Sequence, residues 1–176
     1  MPRPDLSRMP QYYHKYMNQA KENDLMDALK NNTASFVSLL RSIPADKQDH
    51  RYADNKWTIK EVLQHIIDIE RVFTYRALRF ARKDETPLPG FDEKVFSANA
   101  KADKRDCNEL VDEFISLRKA TDLMFGSFDD GQLESAGIAS DVSMYVLGIG
   151  YIIAGHCIHH MNILQEKYLE MQNQPA

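Results

Sequence analysis

The sequence predicts an all-α protein: a four-helix bundle with a short extra N-terminal helix and a long loop between the second and third helices. Four long segments carry apolar residues at helical spacing, and none shows convincing strand alternation. Their similar lengths and short or medium connections favour a bundle. The chain of 176 residues is long enough to bury a core without disulfides, so we expect one domain, residues 1–176.

The first long helix is predicted from about Asn23 to Ile43, and Pro44 stops it. A short additional helix is expected before it, around Tyr12 to Ala20. The apolar stripe of the long helix recurs at intervals of three, four and seven residues, which places one face against a core. Its members are Leu25, Leu29, Phe36, Leu40 and Ile43.

The second long helix opens with the clearest local signal in the chain. Thr58 and Glu61 form a predicted capping box, in which the hydroxyl and the carboxylate each accept a backbone N–H of the first turn. Trp57 before the cap and Val62 after it are placed as a hydrophobic staple. The apolar pattern then carries this helix to about Lys83.

A connection of over twenty residues follows, punctuated by the sequence Pro87-Leu88-Pro89-Gly90. One helical turn is expected within it, around Glu93 to Asn99. Loops of this length inside a compact domain are frequently functional, so we expect this one to cover a site.

The third long helix is predicted from about Asp106 to Phe128, closed by a turn at Asp129-Asp130-Gly131. The fourth is predicted to begin near Asp141 or Ser143 and to continue to about Tyr168. The helix count therefore reaches four, as a bundle requires.

Three of the six histidines fall within five positions of the fourth helix, in the segment Gly155-His156-Cys157-Ile158-His159-His160. Each helical residue advances about 100°, so His156 and His160 lie about 40° apart and one turn along the axis. This i, i+4 spacing lets two imidazoles face one metal ion. His159 is expected at the edge of that face.

A catalytic ion usually needs three protein ligands, and the third should come from a neighbouring helix. His65 is the candidate, because it lies at or beside the buried stripe of the second helix. The alternative is that these histidines are core residues with hydrogen-bond partners. Few partners are available among the surrounding aliphatic residues, which favours a metal site.

Other residues near the histidines have both a chemical and a structural interpretation. Asp68 is one turn after His65 and could orient an imidazole or take a proton, or it could simply pair with Arg71. We retain Asp68 as a candidate catalytic residue. Glu61 is accounted for by the capping box, and Cys157 is expected to be a small buried thiol rather than a ligand.

Composition restricts the function classes. The formal net charge is −4, which argues against a nucleic-acid partner, since such binding needs clustered cations. The basic run on the second helix is interpreted as a solvated or ion-paired face. The longest apolar stretch, Met144 to Ala154, is too short to span a bilayer. Two cysteines and no secretory signal predict a reduced, cytoplasmic protein. The basic run comprises Arg71, Arg76, Arg79, Arg82 and Lys83.

Two motifs resemble those of a known family. The segment Lys56 to Arg71, with Tyr75 to Leu78 and Pro87 to Asp92, resembles the second-helix region of the DinB-like superfamily, which includes YfiT-type metal-dependent hydrolases. The segment Ala154 to His160 is similar to the family's GHxxHH motif. The similarity covers most of the chain from about Tyr52 onward.

The resemblance implies a bundle that binds one divalent ion, nickel or zinc, through His65, His156 and His160. It also implies a homodimer and a small-molecule substrate. Characterised relatives include enzymes that use low-molecular-weight thiols. The first expected function is therefore metal-assisted transfer of such a thiol to an electrophile. The alternatives are a hydrolase in which the ion activates water, and a non-catalytic stress protein that binds a metal or small ligand.

Overall fold

The computed structural model describes residues 1–169. Four long helices dominate it, and short helices and one small hairpin connect them. The helices are α1 (Gln11–Met17), α2 (Leu25–Ser42), α3 (Ile59–Ala81), α4 (Glu93–Asn99), α5 (Cys107–Gly126), α6 (Asp130–Leu133) and α7 (Val146–Ile163), and the strands are β1 (Ala136–Ala139) and β2 (Val142–Tyr145). A π-helical segment, Leu164–Leu169, extends α7.

The four-helix bundle expected from the sequence is confirmed. Helices α2 and α3 each pack against both α5 and α7. These two consecutive helices are therefore diagonally opposite in the bundle rather than neighbours. The short helix α1 packs along α7, which makes α7 the most central element. This position explains why α7 is apolar on nearly all sides rather than along one stripe.

Helix starts follow the side chains that cap them. Asp24 accepts the N–H groups of Met26 and Asp27 at the start of α2. Thr58 and Glu61 form the expected capping box, with distances of 3.1 Å from the Glu61 N to the hydroxyl and 2.7 Å from the Thr58 N to the carboxylate. These contacts satisfy donors that a helix leaves unpaired in its first turn.

The expected start of the fourth long helix at Asp141 or Ser143 is wrong. Strands β1 and β2 pair there as an antiparallel hairpin, with Ala139 opposite Val142, and α7 begins only at Val146. Ser140 and Asp141 form the tip with φ angles of 53° and 61°. A two-residue hairpin turn needs this left-handed backbone at both positions. Neither tip residue is glycine, so the usual sequence signal is missing.

The segment after α5 also differs from the expected simple turn. Helix α5 ends at Gly126 rather than Phe128, and Asp129 caps the short helix α6. Asp129 accepts the N–H of Gln132 at 2.8 Å, while the Gln132 side chain accepts the N–H of Asp129 at 3.0 Å. This second capping box builds a short helix where the sequence predicted only a turn.

The long connection between α3 and α5 contains the expected helical segment, Glu93–Asn99, as α4. Its first part is fixed to the hairpin, because Leu88 donates its N–H to the Ile138 carbonyl at 2.9 Å. The Leu88 carbonyl in turn accepts the N–H of Ser140 at 3.0 Å. The connection is therefore anchored at Leu88 before it reaches α4.

The helix α1 approaches α7 closely at one glycine. A Cβ atom on Gly155 would lie 1.8 Å from the Tyr16 carbonyl oxygen, which no side chain could tolerate without movement of the backbone. Gly155 immediately precedes His156, so this contact fixes α1 beside the histidine segment.

Residues 170–176, which belong to the single domain expected for residues 1–176, lie outside the described residues. Within residues 1–169, no helix combines the length and hydropathy that crossing a membrane would require.

Candidate metal centre

The structure brings together the three histidines that the sequence selected. His65 lies on α3, and His156 and His160 lie one turn apart on α7. The Nε2 atoms of His65 and His156 are 3.1 Å apart, and those of His160 and His156 are 3.2 Å apart. One ligating nitrogen from each of the three residues lies within 4.8 Å of the others.

These separations fit a common ion. Zinc binds imidazole nitrogens at roughly 2.0–2.1 Å in tetrahedral sites, which places two such nitrogens about 3.3–3.4 Å apart. The observed 3.1 Å and 3.2 Å are close to that value. Hydrogen bonds alone do not satisfy the three rings well. His156 Nε2 faces two other Nε2 atoms and can carry only one proton. The donor set therefore suits a divalent metal ion.

Burial keeps the three imidazoles in the form that binds metals. Burial lowers the pKa of His65 to about 4 and that of His160 to about 3. The pKa of His156 falls well below its ordinary value, mainly through burial and then through repulsion by His160 and His65. All three rings are consequently neutral near pH 7, with a lone pair free for a metal.

Aromatic rings hold the cluster on two sides. The Trp57 ring lies 4.6 Å from that of His65, measured between centroids. Tyr16 of α1 meets the ring of His156 edge to face at 5.3 Å. Its ring is equally distant from His159, which is half-buried at the edge of the cluster as the helical angle predicts.

Two cavities reach the cluster. The larger, of about 380 Å³, contains His160 in its wall, and we call it the Trp57 cavity. The smaller, of about 90 Å³, contains His156 in its wall, and we call it the Arg76 cavity. The long connection contributes to both, because Lys94 lines the first and Phe91 the second. The Trp57 cavity is further lined by Tyr52, Val62, Ile163 and Tyr168.

The carboxylates nearest in sequence to His65 are occupied elsewhere. Asp68 accepts a hydrogen bond from Gln64 at 2.9 Å and lies 4.0 Å from the Arg71 guanidinium. Glu61 caps α3 and pairs with Arg51 at 3.0 Å. Within residues 1–169, neither carboxylate hydrogen bonds to an imidazole. The catalytic role of Asp68 stays a prediction.

Behind the histidines lies a buried polar group that the sequence did not suggest. Arg118 pairs with Glu70 at 2.9 Å, and both side chains are almost fully buried. Thr121 donates to the other Glu70 oxygen at 2.7 Å, and Arg118 donates to Asn32 at 3.1 Å. Cys157 is buried beside this group, and burial raises its pKa to about 12, so it is an unreactive thiol.

Arg76 departs from the expected solvated basic face. Arg71 pairs with Glu113 at 2.6 Å and Arg79 pairs with Asp84, as that interpretation requires. Arg76, however, is only 2% exposed and lines the cavity beside His156. Its burial depends on the connection and the hairpin, which helical spacing alone does not reveal.

Fold and site together define a helical bundle with a converging set of three neutral imidazoles, a donor set suited to a metal-dependent role. A sequence model of the DinB superfamily matches residues 28–164, and the chain belongs to this superfamily. The resemblance noted in the sequence is thereby confirmed.

The fold is similar to that of YfiT from Bacillus subtilis, described as a probable metal-dependent hydrolase with an unusual four-helix bundle topology. The TM-score is 0.75 at 17% sequence identity, and the match covers 96% of this chain and 93% of YfiT. At this identity the likeness concerns the fold alone. No curated protein matches the chain.

Proposed function

We propose that the protein is a metal-dependent enzyme in which His65, His156 and His160 hold one divalent ion that activates a small nucleophile. The observation that carries this proposal is the convergence of three neutral imidazoles, one of which, His160, lies in the wall of a 380 Å³ cavity. Cavities of this size accommodate small organic substrates. Imidazole ligands suit nickel and zinc, so these are the proposed ions.

An ion held by three neutral ligands keeps its full double charge and lowers the pKa of a thiol or water beside it. The protein side of the site supplies binding and orientation. Trp57 and Tyr168 give the larger cavity aromatic walls, and Lys94 gives it a cationic rim. A negatively charged, partly apolar substrate suits such a lining.

An open coordination position distinguishes an enzyme from a storage site. Within residues 1–169, the group of side chains able to share an ion contains these three histidines and no fourth ligand. Three protein ligands with one position left for water or substrate is the usual catalytic arrangement. This favours catalysis over the alternative of a non-catalytic metal-binding stress protein.

The nucleophile proposed first is a low-molecular-weight thiol, transferred to an electrophilic substrate. Thiolates are soft ligands with high affinity for ions of this kind. Hydrolysis by activated water is the second candidate, the reaction class given in the description of YfiT as a probable metal-dependent hydrolase. The homodimer and the cytoplasmic location expected from the sequence stay predictions.

One screen separates these reactions. Protein stripped of metal and reloaded with Ni²⁺ or Zn²⁺ is assayed with several small thiols and a chlorobimane electrophile, and separately with ester substrates. Thiol transfer requires turnover that depends on both the thiol and the metal. Turnover of esters without a thiol would instead establish hydrolysis, and no turnover in either assay would contradict both reactions.

The matched control for this screen is the pair His65→Ala and His159→Ala. Both variants lose an imidazole near the cluster, but only the first loses one of the three converging nitrogens. Metal-dependent turnover should disappear in His65→Ala and persist in His159→Ala.

A further inference from the structure

The Arg76 cavity lies on the His156 side of the cluster and differs in character from the larger Trp57 cavity. Its volume of about 90 Å³ is well above the roughly 15 Å³ that one water needs, but too small for a whole drug-sized molecule. It can therefore receive one functional group of a ligand. Besides α3 and α7, three parts of the chain line it: α1 supplies Tyr13 and Tyr16, the hairpin supplies Ser140, and the long connection supplies Phe91.

The charge of Arg76 has no counter-ion among the described residues. Within residues 1–169, no carboxylate lies within 4.0 Å of its guanidinium, although the residue is 98% buried. Its Nη2 atom donates only to neutral oxygens, the hydroxyl of Ser140 at 2.9 Å and the carbonyl of Pro89 at 3.2 Å. The other two arginines of α3 are more exposed, and both pair with carboxylates, Arg71 with Glu113 and Arg79 with Asp84.

A buried cation without a partner is costly. Burial lowers the pKa of Arg76, but a guanidinium stays protonated in proteins, so the charge cannot be removed. The guanidinium carbon lies over the rings of Phe73 and Phe91, at 5.3 Å and 5.6 Å from their centroids. The Tyr13 hydroxyl is a further neutral neighbour of the guanidinium, whose N–H groups border the cavity and can receive a planar anion there.

The other polar groups of the cavity are mostly hydrogen-bond donors. Burial raises the pKa of both Tyr13 and Tyr16, so their phenols stay protonated and can donate. Among the described residues that line the cavity, Glu93 is the one carboxylate, and it is exposed rather than paired with Arg76. The interior of the cavity therefore presents positive charge and donors.

We propose that the Arg76 cavity binds a carboxylate group of the substrate and thereby fixes the substrate against the His156 side of the cluster. Arginine recognises a carboxylate through two parallel N–H···O bonds, which gives orientation as well as affinity. That the bound carboxylate belongs to a substrate rests on the proposed function. Binding of a carboxylate to Arg76 does not itself require the metal. The substrate class is accordingly a small carboxylic acid.

The test uses propionate as the probe and propionamide as its uncharged counterpart. Each is titrated at constant ionic strength into ¹⁵N-labelled protein, metal-free and metal-loaded, and nuclear magnetic resonance follows the Arg76 Nε–Hε group and the Ser140 amide. Propionate should shift both signals to saturation, and propionamide should shift neither. Loss of the charged partner should weaken binding roughly tenfold or more in Arg76→Gln.

Two further variants separate binding from a structural role. Glu93→Gln removes the like charge at the rim and should strengthen propionate binding, whereas Arg82→Gln changes an exposed arginine of the same region and should leave it unchanged. If circular dichroism shows that Arg76→Gln does not fold, the proposal is tested by comparing propionate with propionamide on the wild type and on the Glu93→Gln variant.

Equal shifts with propionate and propionamide, no saturable shift, or unchanged binding in Arg76→Gln would overturn the carboxylate site. Metal content measured on the same samples keeps the two proposals apart. Protein that binds propionate but no metal would contradict the proposed function alone. Protein that keeps its metal but does not distinguish the two ligands would contradict only the carboxylate site.

Discussion

The indole ring of Trp57 lies 4.6 Å from the imidazole of His65, with 40° between the two planes. Trp57 is the single tryptophan of the chain. It also stands 6.5 Å from the ring of His160, so it borders two of the three imidazoles. A residue that the sequence marked only as a hydrophobic staple is thus a spectroscopic reporter of the cluster.

We predict that Ni²⁺ quenches the fluorescence of Trp57 in metal-free protein, with a saturable titration. The open-shell ion would lie within a few ångströms of the indole, where it removes excitation energy efficiently. The same titration of His65→Ala should give little quenching. A wild-type signal that does not respond to Ni²⁺, in protein shown to contain the metal, would place the ion away from Trp57.

Metal content should depend on each of the three converging histidines. We expect His65→Ala, His156→Ala and His160→Ala each to lose most of the bound ion, because a site with two ligands is incomplete. The measurement is metal analysis by plasma mass spectrometry of purified protein. His159→Ala is the control and should retain most of its ion. Full retention in one of the first three variants would remove that residue from the set.

The metal-free protein should become less stable as the pH falls below about 6.5. The folded-state pKa of His65 is about 4 and that of His160 about 3, whereas unfolded histidine titrates at 6.5. Between these values the unfolded chain binds more protons than the folded protein. Each such group therefore lowers the free energy of unfolding by about 1.4 kcal/mol for every pH unit of acidification. Urea denaturation at several pH values measures the slope.

The variant His65→Gln tests the origin of that slope. It lacks one of the groups whose pKa is depressed and should have a shallower pH dependence between pH 6.5 and the folded-state pKa of about 4. An identical slope in wild type and variant would show that other residues cause the acid sensitivity.

Close packing at Gly155 should make its substitution severe. A Cβ there would lie 1.8 Å from the Tyr16 carbonyl oxygen, so Gly155→Ala must displace α1 from α7. We expect a loss of roughly 3 kcal/mol or more in the free energy of unfolding, at the upper end of overpacking effects. Chemical denaturation measures it. Gly126→Ala is the control, because its Cβ would meet only Met26 Cε at 3.9 Å. It should change stability by less than about 1 kcal/mol.

The buried pair Glu70–Arg118 should be intolerant of losing one partner. Arg118→Met leaves the Glu70 carboxylate buried without a cation, which costs about 3–5 kcal/mol. The matched control is Arg71→Met, since Arg71 is half exposed in its pair with Glu113. This substitution should lower the free energy of unfolding by about 1 kcal/mol or less. Comparable losses in the two variants would mean that burial of the pair does not decide its contribution.

The helices were predictable because their signals are local. The capping box at Thr58 and the apolar stripes depend only on residues within a few positions, and they locate α2, α3 and α5 to within a few residues. The β1–β2 hairpin was not predictable in this way. Its tip, Ser140-Asp141, adopts a left-handed backbone without glycine, stabilised by contacts with Leu88 and Arg76 that lie far away in the sequence.

The histidine cluster was predictable for a related reason. The i, i+4 spacing of His156 and His160 on one helix is a local geometric fact, and His65 follows from the buried face of α3. The role of Arg76 was not accessible, because a run of basic residues on an amphipathic helix ordinarily faces water. Only the arrangement of α1, the hairpin and the long connection shows which of those five side chains is enclosed.

The attachment of Leu88 to the hairpin limits how a ligand can enter. Both backbone groups of Leu88 are bonded, to Ile138 and to Ser140, so the first part of the connection cannot swing outward without breaking two hydrogen bonds. The Trp57 cavity, lined by Lys94, Tyr52 and Tyr168, is an approach to the histidines that these two bonds leave free. A molecule that enters this cavity meets His160, whereas a ligand of Arg76 meets Glu93 at the rim of the other cavity.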